Sequence, residues 1–137
     1  MELLQELTLH SRFEEVEKVE GILNAVQKEL GFNDELYAKL MLAVSEAVTN
    51  GILHGNQLDS SKKVVLKAFV DEAESKLIFE SKDEGPGFNS DEIPDPLANE
   101  NLLKTSGRGV FLMKEYADDV QYMEGGTKIR LTFNLPK

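Results

Sequence analysis

The sequence predicts an α+β fold, a two-layer sandwich in which helices cover one face of a mixed, mostly antiparallel sheet. The first observation is the order of the elements: strand, helix, helix, strand, strand, long loop, helix, strand, strand. Strands and helices do not alternate as they do in doubly wound parallel sheets, so helices packed on an antiparallel sheet fit this order better. The second observation is that no internal repeat or linker divides the chain, which predicts one domain over residues 1–137.

The composition is typical of a globular protein of about one domain. The chain is 41% hydrophobic and 29% charged and has no cysteine, which excludes disulfides and thiolate metal sites and fits a cytoplasmic location. The formal net charge of −10 argues against nucleic acid or an anionic membrane surface as the main partner. Glu2 and Glu6 interrupt the first apolar run, so no signal peptide is expected. No apolar run approaches the ~20 residues that span a bilayer.

The first thirty residues predict an edge strand followed by a helix. Residues 2–9 alternate between apolar and polar side chains as strands do. Ser11 is a candidate N-cap, and Glu14, three residues later, would complete a capping box. Apolar residues then keep helical spacing as far as Leu30, and Gly31 is the glycine expected just after a helix.

A second helix is expected to begin at a cap formed by Asn33 or Asp34 and to run to about His54. Glu46, Asn50 and His54 recur every four residues, so they fall on one side of a helix at about 100° per residue. The opposite apolar arc consists of Tyr37, Leu40, Met41, Val44, Val48 and Ile52. Other apolar residues share the polar side and indicate that it is partly covered, where a carboxylate and a carboxamide could find a metal ion as partner. Taken alone, a capped helix with one structural glutamate is the simpler interpretation.

The second half of the chain predicts two hairpins around a long loop and a helix. Strand patterns occupy residues 63–71 and 76–81, and again residues 118–123 and 127–134. The segment 110–116 is mostly apolar and predicts a short helix.

Residues 89–106 form a long polar loop that contains two prolines, three asparagines and several acidic side chains. Loops of this length are uncommon in compact domains and often serve as lids over active sites, although a disordered surface loop is the alternative. A glycine-rich turn lies on each side of the loop, one leaving a strand and one entering a helix. Glycines let the backbone approach a ligand closely, and the N–H groups at a helix start favour an anion. One such turn is more often only a turn, but two of them around a long polar loop, downstream of the helix with Glu46, Asn50 and His54, together predict a phosphate or nucleotide site.

Three motifs resemble those of the GHKL ATPase superfamily, which includes gyrase, histidine kinases and MutL. Glu46-x-x-x-Asn50-x-x-x-His54-Gly55 is similar to the N-box. Asp83-x-Gly85-x-Gly87-Phe88 is similar to the first glycine box. Residues 107–113, Gly-Arg-Gly-Val-Phe-Leu-Met, resemble the second glycine box in the form typical of bacterial anti-sigma-factor serine kinases. The order and spacing of the motifs also match that kinase family over nearly the whole chain.

The resemblance implies a Bergerat fold with ATP between the N-box helix and the lid. By matching position, Glu46 would be the general base and Asn50 would bind a Mg²⁺ ion that bridges the phosphates. Asp83 would accept a hydrogen bond from the adenine amino group, which suits a carboxylate. The remaining ATP-binding positions would be Gly85 and Gly87 at the base and ribose, Gly107, Arg108 and Gly109 at the phosphates, and Thr127 near the adenine. His54 is assigned to the helix exit rather than to chemistry.

The resemblance also implies a function: an ATP-dependent serine/threonine-protein kinase that acts as an anti-sigma factor. It would phosphorylate a small anti-sigma-factor antagonist and sequester a sigma factor, and a homodimer is expected. Two alternatives stay open. A non-catalytic ATP-binding module that switches partners is one, and the intact Glu46 favours catalysis over it. The catalytic domain of a histidine kinase is the other, and the lack of an upstream helical pair with a phosphoacceptor histidine counts against it.

Overall fold

A computed structural model of the chain describes residues 1–86 and 112–136. Its strands are β1 (Glu2–His10), β2 (Lys63–Asp71), β3 (Lys76–Lys82), β4 (Asp119–Met123) and β5 (Lys128–Asn134). They form one sheet in the order β1-β2-β3-β5-β4, with β1 at an edge as predicted. Every neighbouring pair is antiparallel. The sheet formed by the described strands is therefore wholly antiparallel, rather than mixed as the sequence predicted.

Two long helices and several short helical turns accompany the sheet. A 3₁₀ turn at Phe13–Glu17 leads into α1 (Lys18–Leu30), and α2 (Asp34–Asn50) continues into a π-helical turn at Gly51–Gly55. Residues 112–116, at the start of the second described range, are helical and are called α3. Within the two described ranges, no helix is long and apolar enough to cross a membrane.

The core lies between the helices and one face of the sheet. Leu66, Phe79 and Leu131 point into it from adjacent strands and are almost completely buried. They share one apolar cluster with the helical residues Leu23 and Val44. The opposite face of the sheet carries charge, including a hydrogen bond of 2.7 Å from the Nε atom of Arg130 to Glu80. The α+β class and the layer of helices on one side of the sheet are confirmed.

The start of the first helix differs from the prediction. Ser11 is fully buried, and its hydroxyl donates to the carbonyl of Lys62 at 2.7 Å instead of capping a helix. Glu15, rather than Glu14, reaches back to a backbone N–H group, that of His10, at 3.0 Å. The predicted capping box is therefore wrong, because Ser11 joins the end of β1 to the start of β2.

The end of α1 and the start of α2 agree with the sequence prediction. Gly31 has a left-handed conformation, with φ of 75°, just after α1. Asn33 is the cap of α2, since its side-chain oxygen accepts a hydrogen bond from Leu36 N–H at 2.9 Å. Capping by this side chain decides between the two candidates, Asn33 and Asp34.

Replacing Asn33 with alanine is expected to lower the stability of the fold by about 1 kcal/mol, because the Leu36 N–H group loses its acceptor. For a domain of this size the midpoint of thermal unfolding should fall by roughly 3–5 °C. Circular dichroism melts of Asn33→Ala and Asn33→Asp provide the measurement. Asn33→Asp keeps an acceptor oxygen and should unfold at the same temperature as the wild type. An equal fall in unfolding temperature in both variants would contradict the capping role.

Candidate functional site

The π-helical turn that follows α2 and the end of the central strand β3 meet at one end of the sheet. A Cβ atom added at Gly55 would lie 2.4 Å from both Cγ and Oδ2 of Asp83. A Cβ atom added at Gly85 would lie 2.0 Å from the carbonyl oxygen of Gly55. Real Cβ atoms do not come this close to other atoms, so a side chain at Gly55 would displace the Asp83 side chain and one at Gly85 would displace the main chain of Gly55. Two motifs that are far apart in the sequence thus form one continuous surface beside the Asp83 carboxylate.

A π-helical turn ends the helix that carries the N-box residues. The N–H group of Asn56 donates to the carbonyl of Gly51 at 2.8 Å, an i to i+5 hydrogen bond. Because this turn is wider than an α-helical turn, His54 does not continue the line of Glu46 and Asn50. His54 is exposed, whereas Glu46 and Asn50 are partly buried. Turns of this kind inside helices are frequent at functional sites.

Asp83 is held in a fixed position at the end of β3. It is 8% exposed, its N–H group donates to the carbonyl of Thr127 at 2.8 Å, and its Oδ1 atom accepts from Gly85 N–H at 2.8 Å. Burial raises the pKa of Asp83, and the bond from Gly85 and the charge of Lys82 oppose that rise. An ionised carboxylate offers about four acceptor positions, so it can accept a ligand N–H in addition to Gly85.

Thr127 lies beside Asp83, directly before the neighbouring strand β5. It follows a tight turn, Glu124–Gly126, whose three residues all have positive φ. Its hydroxyl donates to the carbonyl of Glu124 at 2.8 Å and accepts a hydrogen bond from the ammonium group of Lys82. The two residues that the sequence predicts to contact adenine are therefore adjacent, and each is fixed by hydrogen bonds within the chain.

Asn56 is the residue at this site that the sequence analysis missed. It is 1% exposed, and its Nδ2 atom donates to Ser11 Oγ at 2.9 Å and to the carbonyl of Lys63 at 3.0 Å. Its Oδ1 atom accepts from Glu84 N–H at 2.8 Å. The only signal in the sequence is its place directly after Gly55, which the prediction treated as a simple helix exit.

The donor set for a metal ion is small. Glu46 and Asn50 lie one turn apart on α2, and among the described side chains no group of three or more His, Asp or Glu is arranged to hold a metal. Magnesium at nucleotide sites is commonly held by one or two protein ligands together with phosphate oxygens and water. Asn50 fits such an ion when a nucleotide supplies most of the ligands.

Several predicted site residues cannot be placed. Outside the described residues lie the predicted lid at 89–106 and four predicted site residues: Gly87, Gly107, Arg108 and Gly109. Their roles stay predictions from the resemblance. The described site thus consists of the end of α2, the end of β3 and the start of β5.

A separate groove of about 480 Å³ lies at the opposite end of the sheet. Its lining combines apolar side chains such as Leu30, Phe32 and Leu135 with Glu72 and Ser75. It contains none of the predicted ATP-binding residues and no basic side chain that would suit a phosphate. The junction at Asp83 is therefore the better candidate for nucleotide chemistry.

Known proteins are similar to this chain in sequence and in fold. Residues 9–133 match the histidine kinase-like ATPase domain family. Over 103 residues the chain is 37% identical to proteins named anti-sigma F factor from Bacillus thuringiensis (strain Al Hakam) and Bacillus mycoides (strain KBAB4), covering 72% of this chain and 69% of each relative.

Among solved structures, the fold is similar to that in the crystal structure of the RsbU and RsbW domains of Rv1364c from Mycobacterium tuberculosis. The TM-score is 0.67 at 20% sequence identity, and the match covers 96% of this chain. This chain spans about a third of the length of that protein chain, of which 31% is covered. The likeness supports the fold, and the motif resemblance to GHKL ATPases is confirmed by the sequence match. With 125 consecutive residues matched, from 9 to 133, the chain belongs to the histidine kinase-like ATPase domain family.

Proposed function

We propose that this protein is an ATP-dependent serine/threonine-protein kinase that acts as an anti-sigma factor in the cytoplasm. It phosphorylates a small anti-sigma-factor antagonist and sequesters a sigma factor, as a homodimer. The observation that carries the proposal is the junction at which Gly55 and Gly85 meet beside the buried Asp83 carboxylate. The family match and the 37% identity to proteins named anti-sigma F factor support the same function.

In the proposed reaction each residue has a separate task. Asp83 accepts a hydrogen bond from the adenine amino group. Its own hydrogen bonds with Gly85 and Thr127 orient the carboxylate. Asn50 provides a ligand for Mg²⁺, which neutralises phosphate charge when bound. Glu46, one turn before Asn50, takes the proton of the attacking serine or threonine hydroxyl. Phosphoryl transfer depends mainly on positioning and charge neutralisation, so this small set is chemically sufficient.

The direct test is incubation of the protein with labelled ATP, Mg²⁺ and a candidate antagonist protein. We expect label on a serine or threonine of the antagonist and, in a separate binding assay, a stable complex with a sigma factor. ATP binding without any transfer would contradict the kinase and favour the non-catalytic partner-switching module. Acid-labile label on a histidine of the protein itself would favour the histidine-kinase alternative.

Asp83→Asn is expected to weaken ATP binding roughly 10- to 100-fold, because a hydrogen bond to a charged acceptor is lost. The carboxamide can keep the bond from Gly85 and then presents an NH₂ group to the adenine amino group. Isothermal titration calorimetry with Mg-ATP measures the affinity. The matched control is Asp71→Asn, which alters a half-buried aspartate that also accepts a backbone N–H, from Glu74, at the far end of β2.

Asp83→Asn is expected to have a free energy of unfolding at pH 7 at least equal to that of the wild type. Since burial raises the pKa of Asp83, the stability contributed by the protonated form is present below the unfolded pKa. It is lost as the pH rises through the higher folded pKa. The asparagine carries no charge and avoids that loss. ATP affinity equal to that of the wild type would contradict the adenine role of Asp83.

A further inference from the structure

Asn56 connects four parts of the fold through one buried carboxamide. It follows the π-helical turn at the end of α2. Its Nδ2 atom reaches Ser11 just after β1 and the Lys63 carbonyl at the start of β2. Its Oδ1 atom reaches Glu84 N–H in the glycine-rich turn that follows β3. A carboxamide has two N–H donors and one carbonyl acceptor, and every one of these groups is used.

The contact with Glu84 fixes the peptide next to Asp83. Glu84 is held a second time through its side chain, because its Oε2 atom accepts from Lys63 N–H at 2.5 Å. Asp83 is bonded on its other side to the Thr127 carbonyl. The carboxylate itself accepts from Gly85 N–H, and its direction therefore also depends on two backbone anchors, one at Thr127 and one at Asn56.

Asn56 also governs the approach of the two glycines. It directly follows Gly55, whose carbonyl oxygen lies against Gly85. The bond from Glu84 to Asn56 ties the residue before Gly85 to the residue after Gly55. This side-chain bond of Asn56 reaches the turn after β3, and losing it would remove a restraint on the close approach of Gly85 to Gly55.

We propose that Asn56 is a positioning residue for adenine recognition: its buried carboxamide aims the Asp83 carboxylate by holding the glycine-rich turn against the end of α2. The inference rests on the proposed ATP site and adds a residue to it that does not touch the nucleotide. Hydrogen bonds weaken steeply when the donor angle falls below about 120°. A small rotation of the turn would therefore reduce the adenine contact even in a folded protein.

The experiment compares ATP with purine riboside triphosphate, which lacks the adenine amino group. Both dissociation constants are measured by calorimetry with Mg²⁺. The wild type should bind ATP roughly 10- to 100-fold more tightly than the analogue, as expected for a hydrogen bond to a charged acceptor. In Asn56→Ala this ratio should fall at least threefold, because ATP loses affinity and the analogue has no amino group to lose.

A merely structural role would lower both affinities together and leave the ratio unchanged. The matched control is Asn33→Ala, which removes a different asparagine hydrogen bond, to Leu36 N–H, in a part of the fold remote from the site. It should lose stability and keep the wild-type ratio. Asn56→Gln, whose carboxamide is displaced by one methylene, replaces Asn56→Ala if that variant does not fold, and the same fall in ratio is expected.

The outcomes separate this inference from the proposed function. A wild-type ratio in a folded Asn56 variant overturns the positioning role and leaves the ATP site intact. A wild type that binds neither nucleotide overturns the proposed function itself. A reduced ratio in Asn56→Ala, with the wild-type ratio in Asn33→Ala, supports the positioning role.

Discussion

Gly85→Ala is expected to lose roughly 100-fold or more in ATP affinity, and to unfold at a lower temperature than the wild type. The added Cβ would lie 2.0 Å from the carbonyl oxygen of Gly55 and 2.5 Å from its carbonyl carbon. Both are main-chain atoms, so no side-chain rotation relieves the contact. Overpacking of this kind commonly costs about 1–3 kcal/mol. In addition, the turn that carries Asp83 must move, which removes a charged hydrogen bond to adenine.

Gly21→Ala is the matched control for this substitution. Gly21 lies inside α1, and a Cβ atom added there would meet no atom within 4 Å. Alanine has the higher helix propensity, so the control should gain about 0.5–1 kcal/mol of stability and keep the wild-type ATP affinity. Calorimetric titration and thermal melts of both variants give the comparison. Wild-type affinity in Gly85→Ala would contradict the close junction between α2 and β3.

Local patterns predicted most of the secondary structure. The second strand was predicted at its observed limits, Lys63–Asp71, because its alternation persists for the whole segment. Gly31 and Asn33 act through residues within one turn, so the sequence located both helix ends and left only the choice between Asn33 and Asp34 to the structure. The direction of the strands was predicted less well, since the pattern within a strand does not name its neighbour. The antiparallel pairing of β1 with β2 across two helices had no local indication.

Buried polar contacts over long distances were not predictable. Ser11 donates to a carbonyl 51 positions away, and Asn56 donates to Ser11 from 45 positions away. Near their own positions these residues have the pattern of a helix cap and a helix exit. Only the folded chain shows that both are buried and that they bond to each other. The π-helical turn was missed for a related reason, because helical spacing alone does not distinguish i+4 from i+5 bonding.

Two of the three motifs, the N-box and the first part of the first glycine box, lie within the described residues and meet there. The structure brings Asp83, Gly85 and Thr127 together and places them at the end of the helix that carries Glu46 and Asn50. A helical period put Glu46 and Asn50 on one side, but it could not show which glycines approach another segment. That information depends on tertiary packing. The chemical roles of these residues stay predictions until they are tested by substitution.

Glu46→Gln is expected to reduce the rate of phosphoryl transfer about 10²–10⁴-fold, which is the usual contribution of a general base. Glutamine has nearly the same shape and helix propensity as glutamate, so the fold and ATP affinity should remain close to those of the wild type. Single-turnover transfer from labelled ATP to the antagonist separates the chemical step from binding. The matched control is Glu35→Gln, an exposed glutamate in the first turn of the same helix, which should transfer phosphate at the wild-type rate.

The same variant decides between the kinase and the partner-switching module. A general base acts only in the chemical step, so Glu46→Gln should bind ATP and a sigma factor yet fail to phosphorylate the antagonist at the wild-type rate. If ATP occupancy alone sets the partner surface, Glu46→Gln should regulate its partners as the wild type does. Full regulation by Glu46→Gln together with an unchanged transfer rate would remove Glu46 from the chemistry. Full regulation with a reduced rate of phosphoryl transfer would instead show that nucleotide binding, rather than phosphoryl transfer, controls the partners.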